Sequence, residues 1–432
     1  MKFLPLLLLA AFATAAPAQL SAPEKRMVQT VDRERDRSIA LLERLVNQNS
    51  GSLNLPGVEA VGRMMRAELE PLGFEVRWVP MTETKRAGHI VATHKGNGRG
   101  KRMLLIGHLD TVFEPDSPFQ RFVRKGDMAE GPGVGDDKGG MVVMVAALRA
   151  MQAAGTLKDA DIEIVLTGDE EDNGNPIEIA RRDLIAAGKR ADAALDFEGL
   201  SQENGRDMGA IARRSSGAWE VIAKGKTGHS SGIFSANAGN GAVYELSRIL
   251  TAFRTELPEP NLTFNVGLIA GGTSAALDAD KIRASATGKT NIIPEIAIAR
   301  GDIRTLSMEQ EERVRAKMRD IVTRHMPGTS AELRFDPDTY PPMAPTEGNR
   351  ALLARLNRVN KDMGLPEMEA IDPLKRGAGD IGFVAADVDG LVGLGAAGEG
   401  SHAPGETVDL PSIDRQAKRA AILMSRLARE KR

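Results

Sequence analysis

Apolar positions along the chain alternate between helix-like and strand-like spacing. Residues 22–50 place Leu41, Leu42 and Leu45 on one face among many Arg and Glu residues, and 58–72 repeats a helical pattern. Three short runs at 75–79, 89–93 and 103–107 predict strands. A strongly apolar stretch at 140–154 predicts a buried helix. It is followed by a strand at 161–168, a helix near 176–187 and a strand at 191–197. Strands alternating with helices predict a layered α/β domain.

The pattern changes after Arg213. The run GAWEVIAK at 217–224 alternates as a half-buried antiparallel strand does. A helix near 242–253, strand-like stretches at 262–270 and 295–304, a charged helix over 308–324 and a strand near 331–335 complete an α+β unit. The Pro-rich segment 336–345 marks its exit. A helix over 347–363, a strand at 390–395 and a helix from about 412 return to the first style. The expected architecture is an α/β domain with a mixed central sheet, residues 22–212 and 338–432, split by a smaller inserted α+β domain over 213–337.

Composition narrows the chemistry. The 432 residues carry 57 Lys+Arg against 59 Asp+Glu, a net charge of −2, so no basic excess points to nucleic acid. With 0 Cys, disulfides, thiolate metal sites and Cys nucleophiles are excluded. At the N-terminus, Lys2 precedes an apolar run from Phe3, and Ala16-Pro17-Ala18 fits a small-residue cleavage site. Residues 1–18 are therefore expected to be a signal peptide rather than a membrane anchor, because the run is too short to span a bilayer. The mature protein is expected to be exported, periplasmic and free of stable membrane insertion.

Several predicted strands run directly into polar groups, the position where α/β sheets bind ligands. MLLIGHLDTV ends in His108, with Asp110 two positions on and able to orient the imidazole. GPGVGDDKGG holds Asp136 and Asp137 in a Gly-rich turn before the apolar helix. Its spacing fails the dinucleotide fingerprint, since position 136 is Asp, and Gly225-Lys226-Thr227 fails the P-loop, since position 220 is Glu. IVLTGDEEDNG carries Asp169, Glu170, Glu171 and Asp172, whose mutual repulsion calls for a cation or solvent. AALDFEG ends in Asp196 and Glu198, and GLGAAGEGSHAPGE presents His402. Each segment alone also fits a bland reading as a capped strand end, an N-cap or a solvated acidic loop. Together, imidazoles and carboxylates without thiols suit zinc, manganese or cobalt, with enough ligands for two metals.

In order and spacing these segments resemble the di-zinc exopeptidase family that contains glutamate carboxypeptidase, aminoacylase, succinyl-diaminopimelate desuccinylase and peptidase T. The resemblance covers roughly residues 35–425. It implies two Zn2+ ions per chain, with Mn2+ or Co2+ as substitutes. Asp136 would bridge them, His108 and Glu198 would complete one site, and Glu171 and His402 the other. It further implies that Asp110 orients His108 and that Glu170 is the general base for a zinc-bound water. GKTGHSSG resembles the family segment whose His, here His229, reaches an active site and helps stabilise the tetrahedral intermediate, either within its own chain or across a dimer of the inserted lid or dimerisation domain. Asn291 in NIIP and Arg304 in GDIRTL resemble its substrate-carboxylate contacts, and Asp380 in KRGAGDIG falls in a segment that lines the specificity pocket. The implied activity is hydrolysis of an amide next to a free carboxylate, in dipeptides, short peptides or N-acyl amino acids, by a homodimer.

Two rival readings remain. Gly228-His229-Ser230-Ser231-Gly232 matches a serine-hydrolase elbow, and Ser230, Asp380 and His402 follow in triad order. However, the flanking sequence lacks the strand and helix an elbow needs. A metal-dependent peptide-binding protein without catalysis would have no need of Glu170. His89, His94 and His325 stand outside any motif and are expected to be structural or superficial.

Overall fold

A computed structural model describes residues 19–432, so the signal-peptide expectation for 1–18 lies outside the described residues. The central sheet has six strands in the order Glu75–Pro80, Gly88–His94, Asp161–Thr167, Arg102–His108, Ala193–Asp196 and Gly390–Leu391. The first two junctions are antiparallel and the other three parallel, which makes the sheet mixed as expected.

Side-chain alternation explains why this sheet is covered on both faces. In the strand Arg102–His108, Met103 and Leu105 join one apolar cluster while Leu104 and Ile106 join another. The first cluster contains the helix Lys138–Ala153, buried along nearly its whole length. It packs against the helices Ala22–Arg33, Arg35–Asn47 and Leu410–Leu427. A helix apolar all round survives in water only when other layers enclose it. The single helix expected over 22–50 divides at Glu34, whose φ of −96° and ψ of 11° leave the helical region.

The insert has its own core. An antiparallel sheet in the order Thr263–Phe264, Ile296–Arg304, Gly217–Gly225, Thr329–Phe335 carries the helices Ala242–Glu256 and Met308–Thr323. Trp219, Leu246, Phe253 and Met318 meet between these layers, with the Trp219 and Phe253 rings edge to face at 5.6 Å. The expected strand 262–270 is two pieces, Thr263–Phe264 and Leu268–Gly272. The hairpins Val123–Lys125 with Met128–Glu130 and Ser274–Leu277 with Ala284–Thr287 had no counterpart among the predicted elements. No helix among the described residues is long and apolar enough to cross a membrane.

Candidate metal centre

The site forms where parallel strands end. His108 is the last residue of Arg102–His108, Glu170 and Glu171 follow Asp161–Thr167, and Glu198 follows Ala193–Asp196. Asp136 comes from the turn that starts the buried helix. Gly133 in that turn has φ +69°, a conformation that favours glycine. Glu406 ties the turn down by accepting the N–H groups of Gly133, Gly135 and Asp136 at 2.9, 2.8 and 3.0 Å. Gly107 is needed for a different reason: a Cβ there would lie 2.6 Å from Oδ2 of Asp137. His402 sits on a loop with φ +66°, a strained backbone for a non-glycine residue, and such strain collects at functional sites.

The two oxygens of Asp136 face different imidazoles. Nε2 of His108 lies 3.2 Å from Oδ1, and Nε2 of His402 lies 3.3 Å from Oδ2. His402 Nε2 is also 3.0 Å from Oε2 of Glu171. Ligand atoms of His108, Asp136 and Glu171 all lie within 4.8 Å of one another. One carboxylate shared by two imidazoles, in a set of nitrogen and oxygen donors, fits a pair of borderline-soft divalent cations.

Asp110 anchors this group from behind. It accepts hydrogen bonds from Ser52 Oγ at 2.6 Å and from the backbone N–H groups of Glu170 and Glu171, both at 3.0 Å. Its Oδ1 is 3.4 Å from Nδ1 of His108. One carboxylate therefore links the imidazole to the acidic loop. Burial alone would raise the Asp110 carboxyl, but the bonds from His108 and Ser52 hold it below its ordinary value. Burial would lower the His108 pKa, yet Asp110 and Asp136 push it well above normal. His402 is pushed up to about 11 by Asp136 and Glu171. Glu170 is raised well above the usual carboxylate range by burial, with neighbouring carboxylates adding to it and His108 opposing.

Glu198 lies on the same cavity wall but outside the compact ligand group. Its carboxylate is ion-paired with Arg213 and lies 3.8 Å from Arg376. The cavity, about 700 Å³, is bounded on one side by Asp136, Glu170, Glu198 and His402 and on the other by insert residues including Arg304. Arg304 Nε is 3.3 Å from Asp302. His229 and Asn291 come together on the insert surface, where Ser230 N–H donates 2.9 Å to Asn291 O and His229 bridges Ile292. Neither lines this cavity of their own chain.

Asp380 is a correction. It was expected in the specificity pocket, but it is 2% exposed and bonded to Thr167 Oγ1 at 2.5 Å and Arg181 Nε at 2.7 Å. A carboxylate so deep needs its cation, and Arg181 supplies it. The serine reading fails with it. Ser230 lies in a 3-10 turn of the insert, while Asp380 and His402 are held by other partners. Three functional neighbours carried weak sequence signals. Arg213 and Arg376 are arginines among many. Tyr340 lay in the presumed linker, yet its hydroxyl donates 2.7 Å to Glu170 O and accepts from Arg181 Nη2. His89 is structural: Nε2 is 2.8 Å from Ala180 O, and Nδ1 accepts the Gly168 N–H.

Residues 104–428 match the peptidase family M20/M25/M40, about three quarters of the chain. The chain belongs to that family. Across 96% of each chain it is 29% identical to carboxypeptidase G2 of Pseudomonas sp. strain RS-16. A succinyl-diaminopimelate desuccinylase of Novosphingobium aromaticivorans is 33% identical over 44% of this chain and 51% of its own. The fold resembles that of aminopeptidase PepT from Bacillus cereus, with a TM-score of 0.71, 18% identity and coverage of 91% and 99% of the two chains. It also resembles a dinuclear metal-binding M20 peptidase from Bacillus subtilis, with a TM-score of 0.64, 18% identity and coverage of 92% and 99%. This M20 protein is accordingly a metal-binding hydrolase of the peptidase and amidohydrolase class, with the enzyme class and fold expected from its motifs.

Proposed function

We propose that this protein is an exported, dinuclear zinc exopeptidase of carboxypeptidase type that cleaves an amide next to a free carboxylate. The observation that carries the reading is the Asp136 carboxylate shared by His108 and His402, with Glu170 beside it facing the cavity. The near full-length likeness to carboxypeptidase G2 supports the substrate type. His108, Asp136, Glu171, Glu198 and His402 would hold two divalent cations. When bound, these supply Lewis-acid polarisation of the amide carbonyl and make the attacking water more acidic.

The chain's own residues do the rest. Glu170 accepts the proton of the attacking water and delivers it to the leaving nitrogen, a task its raised proton affinity suits. Asp110 keeps His108 in place and, through two backbone bonds, sets where Glu170 stands. Tyr340 holds the Glu170 carbonyl from the other side. Arg304 offers a planar fork to the substrate carboxylate from the insert. His229 and Asn291, exposed together on the insert, serve the partner subunit's cavity in a homodimer. Phe234, Val243, Tyr244 and Ile269 give the insert an exposed apolar surface for that contact. The apolar leader at 3–13 and the small residues before Ala18 support export to the periplasm.

Zinc-loaded protein tested on dipeptides, peptides ending in Glu or Asp, and N-acetyl amino acids should hydrolyse at least one group. Removal of metal with a chelator should abolish this turnover, and readdition should restore it. Turnover that survives complete metal removal would refute the reading.

A further inference from the structure

The chain crosses between its two domains twice, at 213–216 and at 340–343, and the crossings pair with each other. Arg213 and Met343 exchange backbone bonds of 2.9 Å each, and Ser216 and Tyr340 exchange bonds of 3.0 and 2.9 Å. On the insert side, the strand Ile296–Arg304 ends in the arginine that borders the cavity. The next residue, Thr305, is clasped by Ser215 on the first crossing. Ser215 N–H donates 2.8 Å to Thr305 O, Thr305 N–H donates 2.8 Å to Ser215 Oγ, and the two hydroxyls lie 2.9 Å apart. Both residues are buried.

On the second crossing, the Tyr340 hydroxyl has one proton and one place to put it. Arg181 Nη2 donates 2.7 Å to the phenolic oxygen, so the proton goes to Glu170 O, also at 2.7 Å. That carbonyl belongs to the peptide unit joining Glu170 to Glu171, and the N–H of the same unit donates 3.0 Å to Asp110 Oδ2. The peptide is thus held at both ends, and one holder stands on the crossing. Covalent and hydrogen bonds run without a break from Arg304 through Thr305, Ser215, Ser216 and Tyr340 to Glu170.

A small displacement of a catalytic group costs rate steeply, and binding energy gained away from the scissile bond can be used to set its position. We propose that Tyr340 is a positioning residue that couples the seat of the substrate carboxylate on Arg304 to the seat of Glu170. This rests on the reading above of Glu170 as base and Arg304 as carboxylate contact, and adds the link between them.

The test compares variants with wild type in metal-loaded full-length protein, on the best-hydrolysed member of the dipeptide, acidic-peptide and N-acetyl amino acid panel. Tyr340→Phe keeps the ring that meets Phe383 edge to face at 5.0 Å and removes only the hydroxyl. Its kcat should fall by about 2- to 10-fold, the span of one neutral hydrogen bond, with KM and metal content unchanged. A residue that only stabilised the fold would not split kcat from KM. Replacing Tyr340 by 4-aminophenylalanine, which returns an N–H donor to the same place, should recover part of the loss. Ser215→Ala breaks the series at Thr305 while leaving Tyr340 in place, and should lower kcat alike. Melting curves verify that each variant is folded.

A double-mutant cycle reads the coupling itself. Arg304→Gln should raise KM and lower kcat in the wild-type background. In the Tyr340→Phe background its effect on kcat should shrink by about 2- to 10-fold, while its effect on KM stays. Amide exchange gives a readout independent of turnover: protection over 168–174 should fall by about 2- to 10-fold in Tyr340→Phe, with the central strands unchanged. Wild-type kcat in Tyr340→Phe, or independent losses in the double variant, would overturn the proposal, and an inactive Glu170→Gln alongside would leave the hydrolase reading standing. Turnover that survives Glu170→Gln, or no turnover by the wild type across the panel, would overturn both.

Discussion

Adjacent carboxylates in the acidic loop differ in what they face. Glu171 lies 3.0 Å from His402, while Glu170 borders the cavity with its pKa raised well above normal by burial. Glu170→Gln keeps size and removes the base, so kcat should fall by about 10²- to 10⁴-fold with metal content unchanged. Steady-state rates and metal analysis on one preparation check this; loss of metal in the variant would contradict the role. The histidines set a pH dependence. In the metal-free site His402 is raised from 6.5 to about 11 by Asp136 and Glu171, so near neutrality it carries a proton that a metal must displace. A raised pKa means that this proton favours the metal-free fold at low pH, and that its contribution is lost as pH rises through about 11. Apparent zinc affinity should therefore climb from pH 6 to pH 8, by up to about tenfold per unit for each proton released. Chelator-competition titrations measure it, and a flat profile would sink the assignment of His402 as a ligand.

At the scale of elements, the sheet strands were legible because apolar runs ended abruptly in His or carboxylate. That pattern marks the strand ends that carry His108, Glu170, Glu171 and Glu198. The Val123–Lys125 hairpin partner escaped because a three-residue strand leaves no measurable period. The role of Tyr340 escaped because its partners are a backbone carbonyl and an arginine distant in sequence. Asp380 was misjudged for a related reason. A Gly-rich segment entering the site exposes Arg376, Gly377 and Ala378 to the cavity, then turns inward, so that Asp380 points to Arg181 instead. Arg181 also binds Asp169 at 2.6 Å, joining the acidic loop to the turn Asp380–Phe383. Removing the cation shared by these two carboxylates strands both of them. Arg181→Ala should thus destabilise the fold by about 3–5 kcal/mol, read as a lower midpoint in urea. A change below about 1 kcal/mol would show the cation to be dispensable.

For the whole molecule, the unresolved matter is why His229 and Asn291 stand together on the insert yet away from the cavity of their own chain. The proposed two-fold dimer through the insert would account for it, since each copy would present the same surface to the other. That arrangement has a consequence that single variants cannot reveal. His229→Ala and Glu170→Gln proteins should each be nearly inactive. In a mixed dimer, however, one cavity keeps its own Glu170 and receives an intact imidazole, while the other has lost both. Equal amounts mixed under conditions that allow subunit exchange yield about half mixed dimers, so activity should recover to about a quarter of the wild-type value per subunit. If His229 served its own cavity, no combination would contain an intact site and mixing would leave activity at the level of the separate variants. Native mass measured before and after exchange establishes that dimers formed, so an absence of recovery counts directly against action across the interface.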